Sequence, residues 1–311
     1  MWAVGVLERF GMLSNSVSSS SQYSYRSVLG NYFTFHVDKL LDCHYTLLFN
    51  SSASDRQALS QFDSLYRKLT MTDLDFNLLW EELRYPLVRV SGPEDLFQKI
   101  QQTLEEIARA ISDNLLHAMP VYESRVFPAH KPRLDSALDF LEKTFLPREQ
   151  LLYRELARSL SYAFKPPMPV YLTGSGTTRG AFTSEPSLTV INVSDLNDMD
   201  VAELVLHEVV HGAENLNQSR SQSALAILNA ELKARDKSAS FPSAWHALIF
   251  WNAGELTRRL LDPNHTQYGD RYGVYKRDFA RERELYSRYW NAWLDGKMSL
   301  REALADVAEG L

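Results

Sequence analysis

The sequence feature that most constrains the fold is the motif His207-Glu208-Val209-Val210-His211. Two histidines four residues apart in a helix lie on the same face, with Cβ atoms about 5–6 Å apart. At that separation both imidazoles can bind one zinc ion at about 2.0–2.1 Å. The residues just before the motif begin with an Asp-x-x-Glu pattern at Asp200 and continue with apolar side chains, which is typical of a helix N-terminus. The motif therefore predicts a metal-binding helix.

This HExxH pattern resembles that of the zincin metallopeptidases, which His207, Glu208 and His211 match residue by residue. The resemblance implies that the two histidines hold one zinc ion per chain. It also implies that Glu208 is a general base, which takes a proton from the attacking water. A peptide or protein would then be the substrate. Only about the second half of the chain is covered by the resemblance.

The third protein ligand of such a zinc site has two candidates. The metzincin continuation is absent, because Glu214 and Asn217 occupy the positions of its glycine and its last histidine. The gluzincin branch places a glutamate about twenty residues after the second histidine, and Glu231 lies there. His246 instead projects onto the centre of the apolar face of a later predicted helix. We favour His246 and keep Glu231 as the alternative.

Two further residues are candidates for supporting roles. Metallopeptidases often supply a tyrosine that stabilises the oxyanion of the tetrahedral intermediate. The Gly- and Tyr-rich segment 269–275 offers Tyr272 and Tyr275, of which we select Tyr275. Glu214, three residues after His211, is a candidate for orienting one of the ligand imidazoles.

Apolar residues at helical spacing dominate the first half of the chain, most clearly from Leu96 to Leu115. The proline-rich segment 165–169 ends this pattern, and strand-like segments follow at 170–173 and 188–193. We therefore predict a predominantly α-helical α+β fold with a small β-sheet in a zincin-like metal-binding half. The predicted divisions are a disordered leader over 1–30, a helical region over 31–165 and the metal-binding region over 166–311.

Composition narrows the possible partners and compartments. The net charge of −6 argues against nucleic-acid binding, which favours a basic surface. No apolar run is long enough to span a bilayer. Cys43 is the only cysteine, so an intrachain disulfide is impossible. We expect a cytoplasmic protein, with secretion left open.

The function predicted from these features is zinc-dependent hydrolysis of peptide bonds. Two other classes of protein remain as alternatives. A non-catalytic metal-binding or regulatory protein would keep the two histidines without a usable active site. A helical interaction protein would carry the HExxH sequence by coincidence.

Overall fold

A computed structural model describes residues 23–49, 53–62, 113–175, 180–184, 188–216 and 222–311. Most of these residues are helical, and five short strands form one sheet. The predicted class, a predominantly helical α+β fold, is therefore confirmed. Among the described residues, no helix is both long enough and apolar enough to cross a membrane. The predicted leader up to residue 22, and the apolar stripe from 96 to 111, lie outside these ranges.

The sheet has the strand order β1-β2-β3-β5-β4. Its strands are β1 Ser24–Leu29, β2 Phe33–Asp38, β3 Met168–Thr173, β4 Ala181–Ser184 and β5 Leu188–Asn192. Strands β4 and β5 form an antiparallel pair in which Ala181 faces Ile191. The strands predicted near 170–173 and 188–193 correspond to β3 and β5.

The disordered leader predicted over 1–30 is wrong at Ser24–Leu29, which form β1. The helix predicted after it is wrong at Phe33–Asp38, which form β2. In β2 the side chains of Phe33, Phe35 and Val37 are buried, whereas those of Thr34 and His36 between them are only half-buried. This alternation has the period of two that is typical of a strand with one covered face. The segment is short, and the helical spacing of the residues that follow it obscured the pattern.

The helices are α1 Lys39–Phe49, α2 Ala53–Leu59, α3 Phe127–Phe140, α4 Glu149–Leu160, α5 Asp198–Leu216, α6 Ala224–Ala234, α7 Ala244–Leu260, α8 Tyr268–Arg271, α9 Val274–Asp278, α10 Ala280–Leu285, α11 Asn291–Leu294 and α12 Leu300–Gly310. Residues 113–121 are also helical. Short 3-10 or π-helical turns occupy Ser60–Phe62, Tyr122–Val126, Leu141–Phe145, Leu146–Arg148 and Tyr286–Trp290.

The described residues divide into two compact units. The first consists of those within Met1–Ser27, Phe35–Ser136 and Tyr171–Asp195, and the second of those within Val28–Thr34, Ala137–Val170 and Leu196–Leu311. Each unit therefore combines separate stretches of the chain. The division into three consecutive regions remains a prediction.

The second unit is built around α7, whose residues from Ala247 to Thr257 are all buried. Helices α4 and α5 both pack against α7. Helix α6 packs against α12, which begins with a capping box formed by Ser299 and Glu302. Because α5 carries the HExxH motif, the packing of α5 on α7 brings this motif against a second buried helix.

Helix α5 begins differently from the prediction. The side chain of Asn197 accepts a hydrogen bond from the backbone N–H of Asp200 at 2.9 Å, as an N-cap residue does. Asp198 and Asp200 lie in the first turn, where a carboxylate is favoured by the helix dipole. Asp200 is thus inside the helix, and the predicted capping box with Glu203 is wrong because Asn197 already serves as the cap.

Candidate metal centre

Three histidines of the second unit converge at the contact between α5 and α7. The Nε2 atom of His207 lies 3.1 Å from Nε2 of His211 and 3.2 Å from Nε2 of His246. One ring nitrogen from each of the three lies within 4.8 Å of the other two. His207 is buried, whereas His211 and His246 are half-buried. The spacing of His207 and His211 follows from their positions one helical turn apart, and His246 reaches them from α7.

This geometry fits a metal ion. Ligands placed tetrahedrally at about 2.0–2.1 Å from zinc are about 3.3 Å apart, close to the distances between the ring nitrogens of these histidines. Within the described part of the chain, these three residues are the one group of histidine, cysteine or carboxylate side chains that could hold an ion. Imidazole nitrogens suit zinc, copper, iron and nickel, so the ligands alone do not select the metal.

The surroundings of His207 and His211 favour the neutral form of both imidazoles. Burial, together with the neighbouring His211 and His246, holds the pKa of His207 well below its usual range. Burial and the neighbouring His246 lower the pKa of His211 to about 4. Near neutral pH both rings are therefore unprotonated, which is the form that binds metal ions.

Glu208 lies close to His207. The residue is 5% exposed, and its Oε1 atom is 3.9 Å from Nε2 of His207, the nitrogen that faces the other two rings. A carboxylate at this position is close enough to exchange a proton with a water molecule bound between the three rings. The distance is too long for a direct hydrogen bond to the ring.

The alternative third ligand, Glu231, has different partners. One of its carboxylate oxygens is 2.5 Å from Nη1 of Arg235, and the other is 3.9 Å from Nη1 of Arg301. It is not a member of the group of potential ligands, which His246 completes. The structure thus brings His246, the favoured residue, to the two motif histidines.

The two tyrosines of the segment 269–275 have hydrogen bonds of their own. The buried hydroxyl of Tyr275 donates to Oε1 of Gln267 at 3.2 Å, and that of Tyr272 donates to Oδ2 of Asp200 at 3.1 Å. An oxyanion role for Tyr275 stays a prediction. The side chain of Glu214 lies outside the described part of the structure.

Aromatic rings line the metal centre. The ring of Phe250 lies 3.9 Å from that of His207, measured between centroids. Trp245 lies 5.6 Å from His211, and Phe279 lies 6.0 Å from His246. The apolar neighbours of His207 and His211 replace water around these two rings, which accounts for the effect of burial on their pKa.

Sequence reasoning missed a polar cluster on the same helix. Glu203, four residues before His207, is fully buried. Its Oε2 atom lies 2.6 Å from Nε2 of His265 and accepts a hydrogen bond from the backbone N–H of Tyr268 at 2.8 Å. Burial raises the pKa of Glu203 against the opposing effect of these contacts. The helical spacing of Glu203 and His207 is a signal in the sequence, but no pattern points to His265.

Sequence reasoning also missed Tyr268. It is buried, and burial together with Tyr272 and the carboxylates of Asp200, Glu203 and Glu208 raises its pKa to about 12. Its phenol therefore stays protonated over the whole physiological range.

A different buried histidine, His130, occurs in the first unit. Its Nδ1 atom lies 3.0 Å from Oδ2 of Asp42, and its Nε2 atom lies 3.4 Å from Oδ2 of Asp55. Asp42 also accepts hydrogen bonds from the hydroxyl of Tyr122 at 2.5 Å and from the backbone N–H of Gly174 at 2.9 Å. Both ring nitrogens face carboxylates, so this imidazole is a structural ion-pair partner and not a metal ligand.

The charge of His130 follows from these contacts. Burial acts to lower its pKa, but the hydrogen bonds and charges of Asp42 and Asp55 outweigh burial and raise the pKa to about 9. A Cβ atom at Gly174 would lie 2.4 Å from the Cβ and Cγ atoms of His130, so only glycine fits there without a shift of the neighbouring atoms.

Comparisons of this chain with known protein families, with curated proteins and with solved structures found no match. A functional conclusion must therefore come from the site itself.

Proposed function

We propose that this chain is a zinc-dependent hydrolase that cleaves peptide bonds. The observation that carries the proposal is the position of Glu208, whose carboxylate lies 3.9 Å from the His207 nitrogen that faces His211 and His246. A catalytic zinc site uses three protein ligands and leaves a fourth position for water. A carboxylate beside that position can accept a proton from the water.

His207, His211 and His246 would hold the ion. When bound, zinc supplies Lewis acidity that polarises a carbonyl group and lowers the pKa of water. Glu208 accepts the proton of the attacking water and then transfers it to the leaving amine. Because its side chain is almost completely buried, Glu208 is shielded from competing bulk water while it holds this proton.

The test compares wild type with Glu208→Gln in elemental analysis and in a peptide-cleavage screen. We expect about one zinc per chain in both proteins, because Glu208 is not a ligand. Cleavage should fall by about 10²–10⁴-fold in Glu208→Gln, which is the usual contribution of a general base. Glu231→Gln is the matched control, since it makes the same change at an ion pair outside the group and should retain both zinc and cleavage.

Other outcomes would decide between the alternatives. Stoichiometric zinc without cleavage of any peptide would contradict the proposal and favour a metal-binding or regulatory protein. No metal in the wild type, even after zinc is offered during refolding, would favour a helical interaction protein.

A further inference from the structure

The central ligand His207 lacks the support that metal-binding histidines usually have. Its Nδ1 atom is buried and has no hydrogen-bond partner among the described residues. A ligand histidine normally donates from its second ring nitrogen to a carboxylate, a carbonyl or water, and this hydrogen bond fixes the orientation of the ring. Among the residues that the structure describes, the orientation of the His207 ring therefore depends on its ring contacts.

Phe250 supplies the closest ring contact. Its centroid is 3.9 Å from that of His207, with 36° between the planes, and 4.9 Å from that of His246. Phe250 belongs to α7 and is only 9% exposed. One phenyl ring thus touches ligands from both helices, and a change in its position would move both imidazoles.

The next ring outward is Tyr268, at the start of α8. It stacks on Phe250 with 9° between the planes and 6.2 Å between the centroids. Its backbone N–H donates to Glu203, which also contacts His265. A fully buried carboxylate is costly unless it is hydrogen-bonded, so the contacts of Glu203 strongly favour one position of this segment.

We propose that the stack of Phe250 and Tyr268 orients His207 in place of a polar partner, and that Glu203 is the positioning residue that anchors this stack to α5. Glu203 lies one turn before His207 on the same helix, so the positioning residue and the histidine that it supports belong to one rigid element. The inference rests on the metal centre of the proposed function, but it does not require that the chain hydrolyses peptides.

The first experiment is a titration of the full chain with Co²⁺, followed by visible absorbance, which reports both affinity and coordination geometry. We expect Phe250→Leu to bind Co²⁺ about tenfold more weakly and to change the absorbance spectrum, as losses outside the ligand set commonly do. The matched control is Phe145→Leu. Phe145 is buried too, but it packs against Phe33, so the affinity and spectrum of this variant should equal those of wild type.

Two further pairs of variants test the outer part of the stack. Tyr268→Phe keeps the ring and the backbone N–H and should bind Co²⁺ as wild type does, whereas Tyr268→Leu should weaken binding. Glu203→Ala should also weaken binding and alter the spectrum. Glu203→Gln should restore much of the affinity, because its amide oxygen can still accept from Tyr268. Far-UV circular dichroism checks that each variant is folded.

The inference would be overturned by wild-type affinity and spectrum in Phe250→Leu, or by an equal loss in Phe145→Leu, which would mark a general effect of stability. Absence of Co²⁺ binding by the wild type would also overturn it. A chain that binds Co²⁺ with the expected differences but cleaves no peptide would contradict only the proposed function.

Discussion

His207 and His130 are both buried imidazoles, yet their surroundings drive their protonation in opposite directions. His207 faces two other histidines, and its pKa is held well below the usual range. His130 lies between Asp42 and Asp55, and its pKa is raised to about 9. Burial lowers the pKa in both cases, so the difference comes from the neighbours.

The comparison shows how the same residue type serves two purposes. Carboxylates at both nitrogens convert His130 into a charged ion-pair partner with no free ligand atom. Around His207, neutral rings leave the nitrogens able to share an ion. A buried histidine is therefore a candidate metal ligand when its neighbours are other ligands and no carboxylate occupies its coordinating nitrogen.

The largest expected effect is on metal binding. Removing one of the three imidazoles with His246→Ala should reduce bound metal from about one per chain to none detectable, because two ligands remain. Elemental analysis after dialysis measures this. His130→Gln should retain the full metal content, and so should Glu231→Ala. Metal lost in Glu231→Ala but kept in His246→Ala would reverse the assignment of the third ligand.

The next largest effect is a loss of stability in Asp42→Ala. The substitution leaves His130, the hydroxyl of Tyr122 and the backbone N–H of Gly174 without their shared acceptor. Breaking a buried charge pair costs about 3–5 kcal/mol in the free energy of unfolding, which urea denaturation measures. Asp139→Ala, at an exposed pair with Lys143, should cost less than about 1 kcal/mol. Equal losses in the two variants would show that Asp42 is not a special buried partner.

The smallest expected effect is a dependence of stability on pH that His130 causes. Its pKa is about 9 when folded and about 6.5 when unfolded, so the stabilisation is fully present below pH 6.5. As the pH rises from 6.5 to 9, stabilisation on the order of 3 kcal/mol should be lost, because folded His130 still holds a proton that the unfolded chain has released, so a higher pH favours unfolding. Urea denaturation at a series of pH values measures the loss.

The control for this pH dependence is His130→Gln. Burial also raises the pKa of Cys43, whose titration adds its own pH dependence near the upper end of this window. The variant retains Cys43, so the difference between the two stability curves isolates His130. Parallel curves for wild type and His130→Gln between pH 6.5 and 9 would contradict the assigned ion pairs.

Much of the metal centre could be predicted from the sequence because helical spacing fixes it. Once α5 is a helix, His207 and His211 must share a face, and Glu208 follows from the motif. The placement of His246 was accessible through the apolar face of α7, since that face had to pack against a partner. The choice between His246 and Glu231 was open, because sequence separation does not report which helices meet.

The remaining features depend on tertiary contacts that leave no pattern. His265 lies between α7 and α8 and contacts Glu203 of α5, with no regular spacing between the two in the sequence. Strands β1 and β2 are each six residues long, and the period of two in β2 is too brief to stand out beside longer helical stripes. The N-cap at Asn197 displaced an equally plausible pattern at Asp200, since both residue types cap helices.

The three histidines that could hold a metal ion come from two helices, two from α5 and one from α7. An ion held there ties these helices together and binds the folded chain in preference to the unfolded one. At a free metal concentration 100 times Kd, such binding adds about 2.7 kcal/mol to the free energy of unfolding. If the site binds metal, mass action would make metal supply a determinant of how long the chain survives proteolysis, independently of any activity.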